Sequence, residues 1–528
     1  MRYYIYRNMT IERFFHNLEA VFSGYEDVSS VDPSADRYVW FYTVPYGADA
    51  GLIANQVESY LDLLKLTLSR LPAGKTLIVM TMQSLYQIDT LHSDFRIAQS
   101  VDRYNATLYE LAQDHDHLKV IDFSDFLNRF PRQDWIDWKY YFVSQMNLNP
   151  RLASAFHKWF SLRIQAIDLQ RKKCLVLDLD NTLWGGILGE EGIRGIALGG
   201  TYPGNAFRMF QQQLSELARQ GVILTVCSKN NYEEVLLAWR EHPDMVLREN
   251  DFAAWKIDWT NKANNIGLLA EELNIGLDSM VFLDDNPSER DLVRRMLPTV
   301  AVPEFPAHPY LLPEFFKEIA ETYFSIYSLT LEDMGKTAQY KANAQRNSAK
   351  SQFSDLSEYI KSLEIKLDIE EAGVVAITRV AQMTQKTNQF NLTTRRYSES
   401  EIGNFLLQGD KVYTLAVKDK FGDNGITGAC IVRLEGNTAE IDSLLLSCRI
   451  LGKNIEQAFV SSILRKLQRI GIKTVTAQYI PTPKNAQVID FYDRLGFQES
   501  LTEASGTKFY RYDLESAEIT LSNNYQYE

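Results

Sequence analysis

Residues 174–186 read CLVLDLDNTLWGG. The first four are apolar, as in a strand buried on both faces. Two carboxylates follow one residue apart, Asp178 and Asp180, with Asn181, Thr182 and the glycine pair Gly185 and Gly186 close behind. An ionised carboxylate at the mouth of a buried strand needs a cation or a proton beside it. The residues around this stretch must supply one.

From Cys174 to about Pro306 strands and helices alternate. VILTVCS (222–228) and SMVFLDDN (279–286) are predicted strands. NAFRMFQQQLSELARQ (205–220) is an amphipathic helix with Phe207, Phe210, Leu214 and Leu217 on one face. NKANNIGLLAEELN (261–274) is a second helix, and PSERDLVRRML (287–297) a third that opens on proline. Apolar strands joined by helices predict a parallel sheet covered on both faces. In such a sheet ligands bind beyond the carboxyl ends of the strands. Asp178 and Asp180 stand at one end, Ser228 at another, and Asp284 and Asp285 at a third, while Lys262 opens a helix between them. Hard oxygen ligands suit Mg²⁺. A carboxylate beside Mg²⁺ can attack phosphorus, and a second can move the leaving group's proton. A hydroxyl and an ammonium can stabilise the transferring phosphoryl group.

DLDNT (178–182), Ser228, Lys262 and the Asp284–Asp285 pair resemble, in order, the four motifs of the haloacid dehalogenase (HAD) superfamily. That resemblance implies Asp178 as nucleophile and Asp180 as acid/base. Thr182 and Ser228 would hold the phosphoryl group and Lys262 neutralise it, with Lys256 the lesser candidate. Asp178, the carbonyl of Asp180, and Asp284 or Asp285 would bind Mg²⁺. Longer words extend the likeness. DLDNTLWGGILGEEGI, CSKN, FLDDNPSER, TQKTNQFNLTTRR, FGDNGITG and SCRILGKNIEQ resemble the FkbH-like proteins, from about residue 130 to 500. They add Asn181, Trp184, Gly185, Lys229 and Asn230 as substrate-binding candidates. No large insertion follows the first motif, so no large cap domain is expected. The resemblance implies a small phosphorylated metabolite as substrate: FkbH-like members of polyketide pathways take a glyceryl unit from 1,3-bisphosphoglycerate, remove phosphate and deliver the acyl group to an acyl carrier protein thiol.

The whole chain reads as an α/β multidomain protein. Residues 1–170 are expected to form an α/β domain like the SGNH hydrolases. A GDS motif and an Asp-x-x-His near residue 145 are both missing, so this domain is expected to be catalytically silent. Residues 171–306 are the HAD-like phosphatase domain, with a Rossmann-like parallel sheet. Residues 307–370 are a helical connector, 371–515 an α+β domain resembling the GNAT acyltransferases, and 516–528 a tail. In the GNAT-like part, RILGKN (Arg449–Asn454, with Gly452) approximates a pyrophosphate-binding turn, though Asn454 replaces its last small residue. Asn485 and Tyr492 resemble the later GNAT motif, and Lys386, Asn388 and Asn391 are candidates to line the groove. The groove is expected to hold the phosphopantetheine arm of a carrier protein, or CoA. Arg449, Lys453, Arg465, Lys466, Arg469 and Lys473 form a basic cluster suited to an acidic carrier. An acyl thioester would need a cysteine: Cys448 is one candidate and Cys227 the rival, while Cys174 and Cys430 lie in core-like strands.

The bulk numbers frame these readings. A chain of 528 residues is long enough for about three or four domains. It is 45% hydrophobic and 23% charged, as globular proteins are. A net charge of -13 opposes general binding to nucleic acid or an anionic membrane. No CxxC pair occurs, and no apolar run approaches the roughly 20 residues of a membrane span. The N-terminal MRYYIYRNMTIERFF lacks the pattern of a signal peptide, and a cytoplasmic location is expected. Two other readings stay open: a phosphatase with a vestigial acyltransferase module, and a non-catalytic assembly protein.

Overall fold

The computed structural model describes residues 1–47, 49–72, 74–86, 93–329, 356–387, 389–447 and 450–528. They fall into two compact units, Met1–Ile167 with Ser398–Glu401, and Asp168–Tyr397 with Ile402–Glu528. Among them, no helix is long and apolar enough to cross a membrane.

The first unit holds β1 (Arg2–Arg7), β2 (Glu19–Tyr25), β3 (Arg37–Phe41), α1 (Ala50–Arg70), β4 (Thr76–Met80), α2 (Arg96–Asp114), β5 (Leu118–Ile121), α3 (Ser124–Leu127), α4 (Trp138–Ser144) and α5 (Ala153–Ile167). Its five strands are all parallel, in the order β2-β1-β3-β4-β5. Alternate residues of β1 feed two cores. Tyr3 and Ile5 pack with Phe156 and Phe160 of α5, while Tyr4 and Tyr6 pack with Tyr60 and Leu64 of α1. This is the two-sided burial that parallel sheets require. Asn8 follows β1 directly. Its amide donates to the Thr43 carbonyl at 2.8 Å and accepts from the Thr43 N–H at 3.2 Å.

The second unit contains two sheets. The first is built from β6 (Cys174–Leu177), α6 (Leu188–Glu191), α7 (Gly204–Arg219), β7 (Ile223–Ser228), α8 (Tyr232–Glu241), β8 (Ala254–Ile257), α9 (Lys262–Leu273), β9 (Met280–Leu283), α10 (Pro287–Met296) and α11 (Leu312–Ile319). Its four strands are parallel, in the order β8-β7-β6-β9. Every residue of β6 is buried. Leu175 and Leu177 face α7, whose Phe207, Phe210, Leu214 and Leu217 share their core. Cys174 and Val176 face α9, through Ala263, Ile266, Leu269 and Leu273. The stripe expected on 205–220 is the buried stripe of α7.

The second sheet contains α12 (Leu356–Ser362), β10 (Lys366–Glu371), α13 (Val374–Lys386), α14 (Glu399–Leu407), β11 (Lys411–Asp419), β12 (Gly422–Glu435), β13 (Thr438–Leu446), α15 (Ile455–Arg469), β14 (Thr474–Tyr479), α16 (Phe491–Arg494), β15 (Gln498–Thr502), β16 (Lys508–Asp513) and β17 (Gln526–Tyr527). The strand order is β15-β16-β14-β13-β12-β11-β10-β17. Neighbours are antiparallel except β13 with β14 and β10 with β17.

Three expected boundaries move. The described residues of the expected helical connector, 307–370, pack into the neighbouring cores. Leu312, Phe315, Ile319 and Phe324 complete the core over α7, and Tyr359, Ile360, Leu363, Leu367 and Ile369 belong to the core of the second sheet. Residues 516–528 are not a tail: β17 pairs with β10, and Tyr525 is buried with its hydroxyl donating to the Lys453 carbonyl at 2.5 Å. The amphipathic segments looked like connector because the strands they cover lie far away in sequence.

Candidate active site

Asp178 follows β6 directly and keeps its ladder position, its N–H donating to the Leu283 carbonyl of β9 at 3.0 Å. The chain then turns sharply. Thr182 and Leu183 N–H donate back to the Leu179 carbonyl at 3.1 and 2.8 Å. Asn181 takes a left-handed conformation, φ 53°, which Asn tolerates better than most residues, and its Oδ1 accepts from Gly186 N–H at 2.9 Å. Gly185 exchanges two backbone hydrogen bonds with Ala197, at 3.1 and 2.8 Å. A Cβ there would sit 2.9 Å from the Phe207 ring, so only glycine lets this short flap lie against α7.

Four segments meet at the rim. Asp178 is 5% exposed, Asp284 0% and Lys262 4%. The Lys262 Nζ lies 3.0 Å from Asp178 Oδ2 and 2.6 Å from Asp284 Oδ2. Burial alone would push this ammonium's pKa down, but Asp178 and Asp284 more than offset it and hold the value above the ordinary one. Burial, then the charge of Asp178, raises both Asp284 and Asp285 above the usual carboxylate range. Carboxylate oxygens of Asp178, Asp284 and Asp285 all lie within 4.8 Å of one another. Asp178 Oδ1 is buried with no hydrogen-bond partner among the described residues. Three acids against one ammonium, with an acceptor left open, fit a divalent cation.

Asp180 is handled differently. Its side chain is not part of that cluster. Oδ1 accepts from Trp184 Nε1 at 2.9 Å and from Leu188 N–H at 3.1 Å; Oδ2 accepts from Asn230 Nδ2 at 3.0 Å. Burial raises its pKa, and the donors from Leu188 and Trp184 work against that. The second carboxylate is thus clamped between the flap and the loop after β7. Trp184 and Asn230, expected to bind substrate, both donate to the Asp180 carboxylate.

The remaining expected residues divide. Ser228 ends β7, 2% exposed, and its carbonyl accepts from Asp258 N–H at 3.2 Å. Thr182 is fully buried, and its hydroxyl oxygen accepts from Asp285 N–H at 3.2 Å, tying the first acidic loop to the last. Lys229 forms an ion pair with Glu289 at 2.6 Å. Lys256 pairs with Glu272 at 2.7 Å, away from the acids, so Lys262 is the lysine of the site. Cys227 is fully buried; its thiol donates to the Lys262 carbonyl at 3.6 Å, and burial pushes its pKa up. That is the opposite of a reactive thiolate. Two site-shaping residues were missed. Arg290, 6% exposed, donates from Nη1 to the carbonyls of Asp284 at 2.8 Å and Asp285 at 2.7 Å. Gln211, fully buried, donates to the Leu183 carbonyl at 2.8 Å and accepts from Leu247 N–H at 3.0 Å. The run PSER after the acid pair was a possible signal for Arg290; Gln211 sits mid-helix and carries none.

In the second sheet, Cys448, Arg449 and Asn388 lie outside the described residues. Gly452 (φ 77°) and Asn454 (φ 56°) shape the turn into α15. Asn391 and Asn485 are fully buried and bonded to the chain itself: Asn485 Nδ2 donates to the Asn391 carbonyl at 3.0 Å and its Oδ1 accepts from Thr482 N–H at 2.7 Å. Tyr492 is buried, which raises its pKa, and its hydroxyl has no partner among the described residues. The basic cluster is partly engaged. Lys473 pairs with Glu515 at 2.8 Å, and Lys466 donates to the Ile369 carbonyl.

Against known proteins, residues 173–305 match the family model of NLI interacting factor-like phosphatases. No curated protein matches the chain. Among solved structures, the N-terminal part of the protein BF1531 from Bacteroides fragilis, containing a phosphatase domain complexed with Mg, is 26% identical, with a TM-score of 0.54 over 62% of this chain and 95% of that one. The ribosomal-protein-S18-alanine N-acetyltransferase of Escherichia coli (13% identity, TM-score 0.24, 30% of this chain and 99% of that one) is also similar. So is yncA from Salmonella typhimurium, solved with acetyl-CoA (17%, TM-score 0.23, 30% and 99%). The chain is an enzyme, and residues 173–305 form its NLI interacting factor-like, HAD-like phosphatase domain.

Proposed function

We propose that the chain is a magnesium-dependent phosphatase and acyltransferase that removes the 3-phosphate of 1,3-bisphosphoglycerate and passes the glyceryl unit to an acyl carrier protein thiol. The single observation that carries the phosphatase half is the open Oδ1 of Asp178, buried beside Asp284, Asp285 and Lys262. The substrate and the acceptor come from the FkbH-like words of the sequence. The Mg-bound phosphatase domain of the Bacteroides protein supports the choice of metal. Asp178, the Asp180 carbonyl and Asp284 or Asp285 would hold the ion. When bound, it supplies charge neutralisation at the transferring phosphoryl group.

The residues divide the work. Asp178 attacks the phosphorus, and the bond from phosphorus to the C3 oxygen breaks. Asp180, held by Trp184, Leu188 and Asn230, gives its proton to the leaving oxygen and then takes one from the water that hydrolyses the aspartyl phosphate. Lys262 and the Ser228 hydroxyl face the phosphoryl oxygens. The acyl phosphate that remains is attacked at its carbonyl carbon by the carrier thiol, and inorganic phosphate leaves with the bonding pair.

The test is incubation of the full chain with 1,3-bisphosphoglycerate, Mg²⁺ and a carrier protein whose phosphopantetheine thiol is free. The expected result is phosphate release with a glyceryl mass gain on the carrier, both lost in Asp178→Asn. Phosphate release without a mass gain would reduce the function to that of a phosphatase. Unchanged output from Asp178→Asn would favour an assembly role.

A further inference from the structure

The second sheet opens where β13 and β14 part. The two strands pair from Thr438 opposite Thr474 to Ile441 opposite Ala477. Beyond that, β13 runs on to Leu446 and β14 to Tyr479 without pairing to each other. Diverging strands leave backbone N–H and C=O groups in need of partners. Such an edge suits an extended chain bearing amides, which adds itself as a further strand. The arm of CoA or of a carrier protein, with its two amides, is a chain of this kind.

In this protein the edge is taken. Leu392 N–H donates to the Leu444 carbonyl at 3.2 Å, and Leu446 N–H to the Phe390 carbonyl at 3.0 Å. Asn391 stands opposite Leu445 as an antiparallel bridge. On the other side, Ile480 N–H donates to the Leu392 carbonyl at 2.8 Å. One residue, Leu392, therefore bonds to both diverging strands.

Side chains fasten the same segment. Asn485 Nδ2 donates to the Asn391 carbonyl at 3.0 Å and to the Ile480 carbonyl at 2.9 Å. Gln487 Nε2 donates to the Gln389 carbonyl at 3.2 Å, and the Thr393 hydroxyl to the Asp442 carbonyl at 3.0 Å. Asp442, 1% exposed, is itself held by Arg395 and by the Tyr397 hydroxyl at 2.7 Å. Phe390 and Leu392 belong to the module's main core, and Asn391 is fully buried. A surface loop that moved aside for a ligand would not be buried and bonded on both edges in this way.

We infer that residues 389–393, joined to β13 through the single bridge at Asn391, are a permanent plug that closes the cleft between β13 and β14. A thioester arm therefore does not lie along the inner edge of β13. The inference holds whether or not the chain transfers a glyceryl unit.

Hydrogen exchange on the intact, full-length protein tests it, with and without millimolar acetyl-CoA. The amides of Leu392, Leu446 and Ile480 are expected to exchange at least about 10³-fold more slowly than in an unstructured chain. That protection should not fall with acetyl-CoA present, and binding elsewhere can only raise it. Fast exchange in the free protein, or a saturable loss of protection at Leu392 and Ile480 as acetyl-CoA is added, would overturn the inference.

Discussion

The phosphatase rim and the cleft of the second sheet are built from similar parts and come out opposite. Each is a place where buried polar side chains from sequence-distant words meet at the end of a strand. At the rim, three carboxylates face one ammonium, and Asp178 Oδ1 is left without a partner among the described residues. In the cleft, both ends of the Asn485 amide and the buried Asp442 are satisfied within the chain. A satisfied buried network acts as a fastener, whereas an open acceptor among like charges is where a ligand belongs. Motif likeness alone does not separate the two; the direction of the hydrogen bonds does.

The largest effect expected is at Asp178. Asp178→Asn should lower phosphate release by at least about 10³-fold in steady-state assays. Full activity in that variant would mean that the open oxygen at the rim is not catalytic, and the contrast would lose its meaning. Metal removal comes next. Chelation should reduce release by about 100-fold or more, and added Mg²⁺ should restore it. A chelator-treated enzyme that works normally would contradict the fit of the three acids to a cation.

Lys262→Met sharpens the comparison in stability terms. It would leave Asp178 and Asp284 buried without their cation, at a cost of about 3–5 kcal/mol. Urea unfolding in the presence of chelator measures this, and a loss below about 1 kcal/mol would show that the ammonium is not what holds the acids. The smallest effect belongs to the cleft. Asn485→Ala should destabilise the chain by about 1–3 kcal/mol, because it leaves buried backbone groups unpaired. Phosphate release should be unaffected. If Asn485→Ala instead spared stability and abolished acyl transfer, the amide would be a ligand contact and not a fastener.

The sequence made the first of these regions far more legible than the second. Each rim acid follows or ends an apolar run, so the strand pattern that predicts the sheet also places Asp178, Ser228, Asp284 and Asp285 at its edge. Lys262 was already preferred over Lys256 in the sequence, but the pairing of Lys256 with Glu272 of α9, which holds it away from the acids, is a tertiary contact the sequence did not show. Trp184 and Asn230 were visible as polar or aromatic residues of the right words, but their common partner, Asp180, depends on how the flap folds back. In the second sheet β10 and β17 escaped notice. The alternation of KLDIE was a strand signal that went unread beside its helical neighbours, and β17, two residues long, carries none of its own. The segment 389–393 was read as groove lining, and its bonding was not legible because its partners, Leu444 and Ile480, lie roughly 50 and 90 residues further on.

The most direct test of the central claim is to trap the phosphoryl group on the protein. The full chain would be mixed with 1,3-bisphosphoglycerate labelled with ³²P in its 3-phosphate, quenched in acid within one turnover, and digested for mass spectrometry. Label on the peptide containing Asp178, absent from Asp178→Asn, is the predicted result. Release of labelled phosphate with no labelled peptide, or with label on another residue, would contradict it.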